Sequence, residues 1–243
     1  CFSTGEHGNV IDFLIKVKGY DFKDALNELA SKAGVELSYK SSKINSKIYE
    51  INQFTKEMFY SNLLQSKVCM DYLINKRKFT HETIEKFSLG SSFNSAYLQK
   101  KLLDNFELKD LISSGVFNKN QNSKIFFQNR IMVPINNVQD KTIGFGARVI
   151  NESLPKYINT AETKLFKKKQ ILYNESQLDK HSNQKIILVE GYFDVVKLYQ
   201  FGFSNCVAPL GTSINHERII ELTKRGYEII VCLDGDLAGR NAS

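Results

Sequence analysis

Acidic residues follow two apolar segments near the end of the sequence. Glu190 comes directly after the first segment, and Asp194 follows four positions later. Asp234 and Asp236 come directly after the second segment, on either side of Gly235. Carboxylates brought close together repel, so one must be protonated at neutral pH unless a cation compensates the charge. Oxygen ligands without neighbouring His or Cys favour Mg²⁺ or Mn²⁺ over zinc, so we predict that these four carboxylates bind Mg²⁺ or Mn²⁺.

Such a site would support phosphoryl transfer. A divalent ion held by a few carboxylates also binds substrate phosphates, lowers the pKa of an attacking hydroxyl and neutralises developing charge. The alternative interpretation is that Asp-Gly-Asp is a surface turn and that Glu190 and Asp194 are ordinary acids at a helix start. The occurrence of two clusters after strands of one predicted sheet favours the metal site.

The last 60 residues alternate between strand and helix patterns. The sequence predicts strands at 186–189, 206–208 and 229–233, and helices at 192–201 and 215–225. Successive strand–helix–strand units with continuously apolar strands indicate a parallel sheet with right-handed crossovers. Ligands of such sheets bind at the carboxyl ends of the strands, where both acidic clusters would lie.

The preceding residues carry other patterns. Residues 10–17 predict a helix, and Asp21 predicts the cap of a second helix that ends at Gly34. Apolar residues at helical spacing continue through 48–116. Short apolar runs separated by turn residues then indicate strands from Ile125 onwards, including a hairpin over 131–150.

Composition narrows the class of protein. The 243 residues are 42% hydrophobic and 24% charged, which excludes disordered, collagen-like and small disulfide-rich proteins. The net charge of +7 favours polyanionic partners. Four widely separated cysteines fit a reducing compartment, and no apolar run approaches the roughly 20 residues of a membrane span. We therefore expect a soluble cytoplasmic protein without a membrane partner, and the chain, which starts at Cys1, is interpreted as a fragment.

Several motifs carry a family resemblance. The segments Leu-Val-Glu-Gly-Tyr-Phe-Asp-Val-Val (188–196) and Asp-Gly-Asp-Leu-Ala-Gly (234–239) resemble the Toprim domain of topoisomerases, primases and some nucleases. Further segments look like successive motifs of the bacterial replicative DNA primases; they lie at 129–135, 144–149, 155–163, 165–168, 172–173 and 208–212. The resemblance runs in order from the first residue to the last.

The primase resemblance implies a function and partners. It implies a DNA-directed RNA polymerase that makes short RNA primers on a single-stranded DNA template from ribonucleoside triphosphates. It also implies a location at the replication fork and contact with the replicative helicase through a region that this chain lacks. The chain would hold the polymerase core, and the fragment alone is not expected to be fully active.

The resemblance also assigns residues. Glu190, Asp234 and Asp236 match the catalytic metal ligands of the family, and Asp194 matches a supporting acidic position. The basic positions associated with template and nucleotide binding are matched by Arg130, Arg148, Lys156 and Lys168. Cations on strands beside a metal site are well placed to engage phosphates.

The first residues resemble the end of the family's zinc-binding domain. Cys1 aligns with the first cysteine of a Cys-x-x-Cys-Gly pair, but Thr4 stands at the second cysteine. A threonine hydroxyl is a poor zinc ligand, so we expect a four-ligand site to be incomplete here, with Cys1 as a candidate ligand. His7 could substitute for the missing cysteine, but a lone histidine is more often an ordinary surface residue.

Together these interpretations predict an α/β protein, α+β overall, in which a Toprim-type parallel sheet with flanking helices follows a mixed strand region and a helical subdomain. We predict the end of a zinc-binding domain at 1–40 and a linker at 41–50. The predicted polymerase core at 51–243 comprises a helical subdomain (51–123), a mixed strand and basic region (124–184) and a truncated Toprim domain (185–243).

Two other functions remain open from the sequence. One is a different Toprim enzyme, such as a nuclease or a topoisomerase-like strand breaker, although the motifs between Arg130 and Tyr173 argue against it. The other is a nucleic-acid-binding module without catalytic activity. Incubation of a full-length protein with template, ribonucleotides and Mn²⁺ distinguishes these two functions from that of a primase.

Overall fold

The computed structural model of the chain describes residue 5 and residues 7–34, 43–119, 124–180, 185–211 and 216–234. Its helices are α1 (Val10–Lys18), α2 (Phe22–Ala33), α3 (Lys43–Gln65), α4 (Lys67–Asp71), α5 (His81–Lys86), α6 (Ser95–Asn105), α7 (Leu108–Ser113), α8 (Tyr192–Gln200) and α9 (His216–Lys224). Its strands are β1 (Gly90–Ser91), β2 (Arg130–Asn136), β3 (Thr142–Val149), β4 (Tyr157–Asn159), β5 (Leu172–Tyr173), β6 (Lys185–Leu188), β7 (Cys206–Pro209) and β8 (Glu228–Val231). In these ranges no helix combines the length and apolar character needed to cross a membrane.

The two N-terminal helices lie where the sequence predicts them, with α1 extending one residue further, to Lys18. The side chain of Asp21 accepts a hydrogen bond from the Asp24 amide at 2.8 Å and so caps α2. Gly34 ends α2 with a φ of 65°, a conformation that glycine adopts without a steric cost. The predicted helices at 10–17 and after Asp21 are therefore confirmed.

Residues 43–50 of the predicted linker at 41–50 are helical and form the start of the long helix α3. The local sequence is polar, but Ile48 and Ile51 lie on the buried face of this helix and are almost fully excluded from water. Burial of this apolar face outweighs the weak helical propensity of the polar residues. Residues 41 and 42 lie outside the described residues.

The helical subdomain contains two features that its apolar spacing did not predict. A π-helical turn spans Tyr72–Lys76 between α4 and α5, and the short strand β1 lies at Gly90–Ser91. A two-residue strand gives no periodic signal; β1 exists because it pairs with Ile131 and Met132 of β2.

The first sheet is antiparallel, in the order β1-β2-β3-β4. The predicted hairpin is confirmed, since β2 pairs with β3 from Arg130 opposite Val149 to Asn136 opposite Thr142. Helix α3 covers one face, where Phe59 makes edge-to-face contacts with Phe127 and Phe145. The core between α3 and the sheet is therefore built partly from these aromatic rings.

The second sheet has the order β5-β7-β6-β8. Strand β6 pairs in parallel with both β7 and β8, so the predicted parallel sheet and the α/β class are confirmed. Strand β5 adds an antiparallel edge by pairing with β7. The order brings the first and third predicted strands, β6 and β8, into direct contact, with Leu188 opposite Val231.

A buried ion cluster fastens α9 to the 3-10 turn at Glu175–Lys180. Glu175 accepts hydrogen bonds from Arg218 and from Arg225, whose guanidinium nitrogen lies 3.3 Å from the carboxylate. Arg218 also pairs with Glu221. The side chains of Glu175, Arg218 and Arg225 are 5%, 10% and 4% exposed. Water therefore stabilises these charges little, and each charge depends on its ion-pair partners for compensation.

The two sheets meet where Gly146 of β3 lies against Tyr192, the first residue of α8. A methyl group at position 146 would lie 2.7 Å from the Tyr192 ring. Tyr192 is almost fully buried, and its hydroxyl is hydrogen-bonded to Asn159 of β4. The two sheets can approach closely here because Gly146 has no side chain. The buried Tyr192 ring has little room to move aside for a larger residue.

We expect Gly146→Ala to lower the free energy of unfolding by about 1–3 kcal/mol through overpacking against Tyr192. Urea denaturation followed by circular dichroism measures the effect. Gly211→Ala is the control, because a methyl group there would meet no atom of the described residues within 4 Å. Equal stability of the two variants would contradict the expected close packing.

Candidate active site

The first acidic residue of each cluster lies at the carboxyl end of its strand. Glu190 follows β6, Asp234 follows β8, and the two strands are neighbours. The Glu190 carboxylate accepts a hydrogen bond from the Asp234 backbone amide at 2.8 Å. The predicted approach of the two clusters is therefore observed for Glu190 and Asp234, whereas Asp236 lies outside the described residues.

Asp194 lies in the first turn of α8, beside this pair. Its carboxylate accepts a hydrogen bond from the Gly191 amide at 3.0 Å, which fixes it at the start of the helix. The side chain stays exposed on one side. Burial by the surrounding protein nevertheless raises the pKa of Asp194, and the negative charge of Asp234 raises it further. The positive charge of Arg77 lowers the pKa of Asp194.

The donor chemistry of this cluster fits a hard divalent cation. All the donors are carboxylate oxygens, and the pKa of Asp194 is raised partly because negative charge has accumulated around it. In the described part of the chain no three His, Cys, Asp or Glu side chains already form a metal-binding group. The four-residue set that includes Asp236 remains a prediction.

Arg148 is a predicted basic residue that lies near enough to Asp194 for their charges to interact. It projects from β3, where its guanidinium lies 5.4 Å from the centre of the Phe193 ring and 4.8 Å from that of Tyr157. It also donates a hydrogen bond to the Tyr157 hydroxyl. Burial lowers the pKa of Arg148, and the nearby positive charge of Arg77 lowers it further.

The sequence interpretation missed Arg77, which follows the π-helical turn. Its guanidinium lies 5.0 Å from the centre of the Phe193 ring, so the side chains of Arg77 and Arg148 both pack against this ring. π-helical turns are frequent at functional sites, but this one gives no signal in the sequence. The charges of Arg77 and Arg148 interact with each other, so both contribute positive potential around Phe193, and this potential attracts an anion such as a phosphate group.

The other predicted basic residues have different environments. Arg130 is buried and donates to the backbone carbonyls of Pro155 at 2.9 Å and Lys156 at 3.3 Å, so it supports the loop that carries Lys156. Lys156 is exposed and, with Arg148, lines a cavity of ≈ 400 Å³. Lys168 is partly exposed in a 3-10 turn. Cys1 and Thr4 lie outside the described residues.

Comparison with known families agrees with this arrangement. The family model described as "DNA primase catalytic core, N-terminal domain" matches residues 58–179, about half of the chain. The Toprim domain matches residues 184–243, and a CHC2 zinc finger matches residues 1–45.

The chain belongs to the DNA primase family.

Individual primases are similar over the whole chain. A DNA primase of Rickettsia bellii is 39% identical over 100% of this chain and 42% of its own length. A DNA primase of Haemophilus influenzae is 35% identical over 100% of this chain and 44% of its own length. The chain therefore spans less than half of the length of these primases.

Solved primase structures share the fold. The zinc-binding and RNA polymerase domains of the Aquifex aeolicus primase superpose with a TM-score of 0.76, at 30% identity over 100% of this chain and 61% of that one. A DnaG primase catalytic domain bound to single-stranded DNA superposes with a TM-score of 0.72, at 32% identity over 83% of this chain and 65% of that one. The predicted family is confirmed, and a Toprim domain implies divalent-metal binding in general terms.

Proposed function

We propose that the protein containing this chain is a DNA primase that synthesises short RNA primers on single-stranded DNA by metal-dependent nucleotidyl transfer. The observation that carries the proposal is the contact of Glu190 with Asp234 beside the two arginines on Phe193. An acidic site that adjoins a cationic surface can accept both a divalent ion and the phosphates of a nucleotide or a template.

Mg²⁺ or Mn²⁺ is the proposed ion, and Glu190, Asp194, Asp234 and Asp236 are the proposed ligands. When bound, such an ion neutralises charge on the triphosphate and lowers the pKa of the attacking hydroxyl. Of the proposed ligands, Glu190 and Asp234 lie together at one edge of the sheet, and Asp194 lies at the start of α8. Glu190 is also the proposed proton acceptor, since its carboxylate lies at the strand end within the proposed metal site.

The basic residues have two proposed roles. Arg148 and Arg77 hold phosphate oxygens through charge-assisted hydrogen bonds while their guanidiniums stay against Phe193. Lys156 and Lys168 add positive charge along the path of the template or the incoming ribonucleoside triphosphate. Arg130 keeps the Lys156 loop in place through its hydrogen bonds to the loop carbonyls.

Zinc and the helicase belong to the same proposal. Because Thr4 replaces a ligand cysteine, we expect less than one zinc ion per full-length chain, which metal analysis measures. The resemblance to replicative primases supports the replicative helicase as a partner, bound through a region outside this chain.

Incubation of the full-length protein with single-stranded DNA, ribonucleotides and Mn²⁺ tests the function. Short RNA products are the expected result. Cleaved DNA would instead indicate a strand-breaking Toprim enzyme, and retention of DNA without product would indicate a binding module; both outcomes contradict the proposal.

A further inference from the structure

The second half of α8 holds the backbone loop that carries Arg77. Lys197 donates to the carbonyl of Lys78 at 2.8 Å and to that of Arg77 at 3.4 Å. Gln200 uses both ends of its amide: Nε2 donates to the Lys78 carbonyl at 2.9 Å, and Oε1 accepts from the Thr80 amide at 2.8 Å. The loop between the π-helical turn and α5 is thus tied to α8 by four hydrogen bonds.

Lys78 has a φ of 57°, which places a residue other than glycine in the left-handed region. This conformation costs free energy for an L-residue and persists where the surroundings impose it. Two of the four hydrogen bonds end on the carbonyl of this same residue. Lys197 and Gln200 therefore stabilise the conformation that Lys78 would otherwise leave.

The left-handed turn determines where Arg77 lies. The Arg77 amide closes the π-helical turn by donating to the Tyr72 carbonyl at 2.9 Å, and its guanidinium then lies 5.0 Å from the centre of the Phe193 ring. On the other side of Lys78, Phe79 packs edge to face on the same ring, with centroids 5.4 Å apart. Loss of the left-handed conformation at Lys78 would move both contacts and take Arg77 away from Asp194.

We propose that Lys197 and Gln200 are positioning residues that keep Arg77 beside the acidic cluster, where it binds a phosphate of the single-stranded DNA template. This inference rests on the proposed function. Lys197 is partly buried and directs its ammonium group at backbone carbonyls, so its contribution to DNA binding acts through Arg77.

Double-mutant analysis of DNA binding by the full-length protein tests the proposal. We expect Arg77→Met and Lys197→Met each to weaken binding about fivefold and to reduce the salt slope of log K by about 1, the contribution of one phosphate contact. The double variant should bind no more weakly than Arg77→Met alone, because both changes remove the same contact. Additive losses, or an unchanged affinity of Lys197→Met, would overturn the proposal.

A rescue experiment separates positioning from general destabilisation. Glycine adopts the left-handed conformation without strain, so adding Lys78→Gly to Lys197→Met should restore at least about half of the lost affinity. Absence of any rescue counts against the proposal. Lys86→Met is the matched control: it removes a positive charge from the neighbouring α5, where Lys86 lies 5.8 Å from the Tyr199 ring. We expect this control to keep the wild-type affinity.

Amide hydrogen exchange tests the same contacts without DNA. Gln200→Leu should speed exchange of the Thr80 amide about tenfold, since it removes the acceptor of that N–H group. Unchanged exchange would overturn the role of Gln200. A wild-type protein that binds DNA but makes no RNA contradicts the proposed function alone, whereas normal DNA binding by Lys197→Met contradicts the positioning role alone.

Discussion

Replacement of Glu190 by Gln in the full-length protein is expected to reduce RNA primer synthesis by about 10²–10³-fold, the loss typical for removal of one preorganised electrostatic group. Glutamine has the same shape and can still accept the hydrogen bond from the Asp234 amide, so the strand ends should stay in place. What disappears is a negative charge that the proposed divalent ion requires. Binding of single-stranded DNA should persist, because the basic residues are unchanged.

Primer synthesis on a single-stranded template, measured beside DNA binding, provides the test. Glu228→Gln is the matched control: it removes a carboxylate from the opposite end of β8, where Glu228 is exposed and pairs with Lys185 at 3.4 Å. The control should retain normal synthesis. Wild-type rates for Glu190→Gln would refute the assignment of Glu190 to the metal site.

A second large effect is expected at Glu175, this time on stability. Glu175→Gln would leave the buried Arg225 and Arg218 without their shared carboxylate, although Arg218 keeps Glu221. Removal of one partner from a buried ion pair costs about 3–5 kcal/mol, because the remaining charge is buried without compensation. The free energy of unfolding should fall by this amount.

Urea denaturation of the purified chain measures this loss. Glu162→Gln is the control, since Glu162 is about half exposed and lies 3.6 Å from Lys167. An exposed pair of this kind contributes about 0–1 kcal/mol. If Glu175→Gln cost no more than Glu162→Gln, the cluster at Glu175 would not contribute to the stability of the fold.

The sequence was sufficient to predict the centre of the site. The predicted strands at 186–189 and 229–233 are continuous apolar runs followed at once by acids, and parallel strands place such residues at a common edge. The contact between Glu190 and Asp234 follows from this pattern. The family motifs added the basic positions, of which Arg148 lies near the acids.

Other features depend on contacts that no local pattern encodes. Arg77 joins the site because a π-helical turn and the ring of Phe193, more than a hundred positions later in the chain, hold it there. Arg130 matches a basic motif, yet its guanidinium is directed at two backbone carbonyls. Helix α3 starts within a polar segment because tertiary packing buries Ile48. In each case, tertiary contacts rather than the local sequence determine the position of a side chain or the start of a helix.

The contact between the two strand ends also has a consequence for folding. Glu190 and Asp234 are 44 positions apart, and their strands become neighbours only after the intervening chain has completed two crossovers. Contacts of such sequence separation carry a large loop-closure entropy and form slowly. An ion that needs both carboxylates therefore binds molecules whose sheet is already complete. Divalent cations should act as late stabilisers of the native state, and their binding marks the end of folding rather than its nucleus.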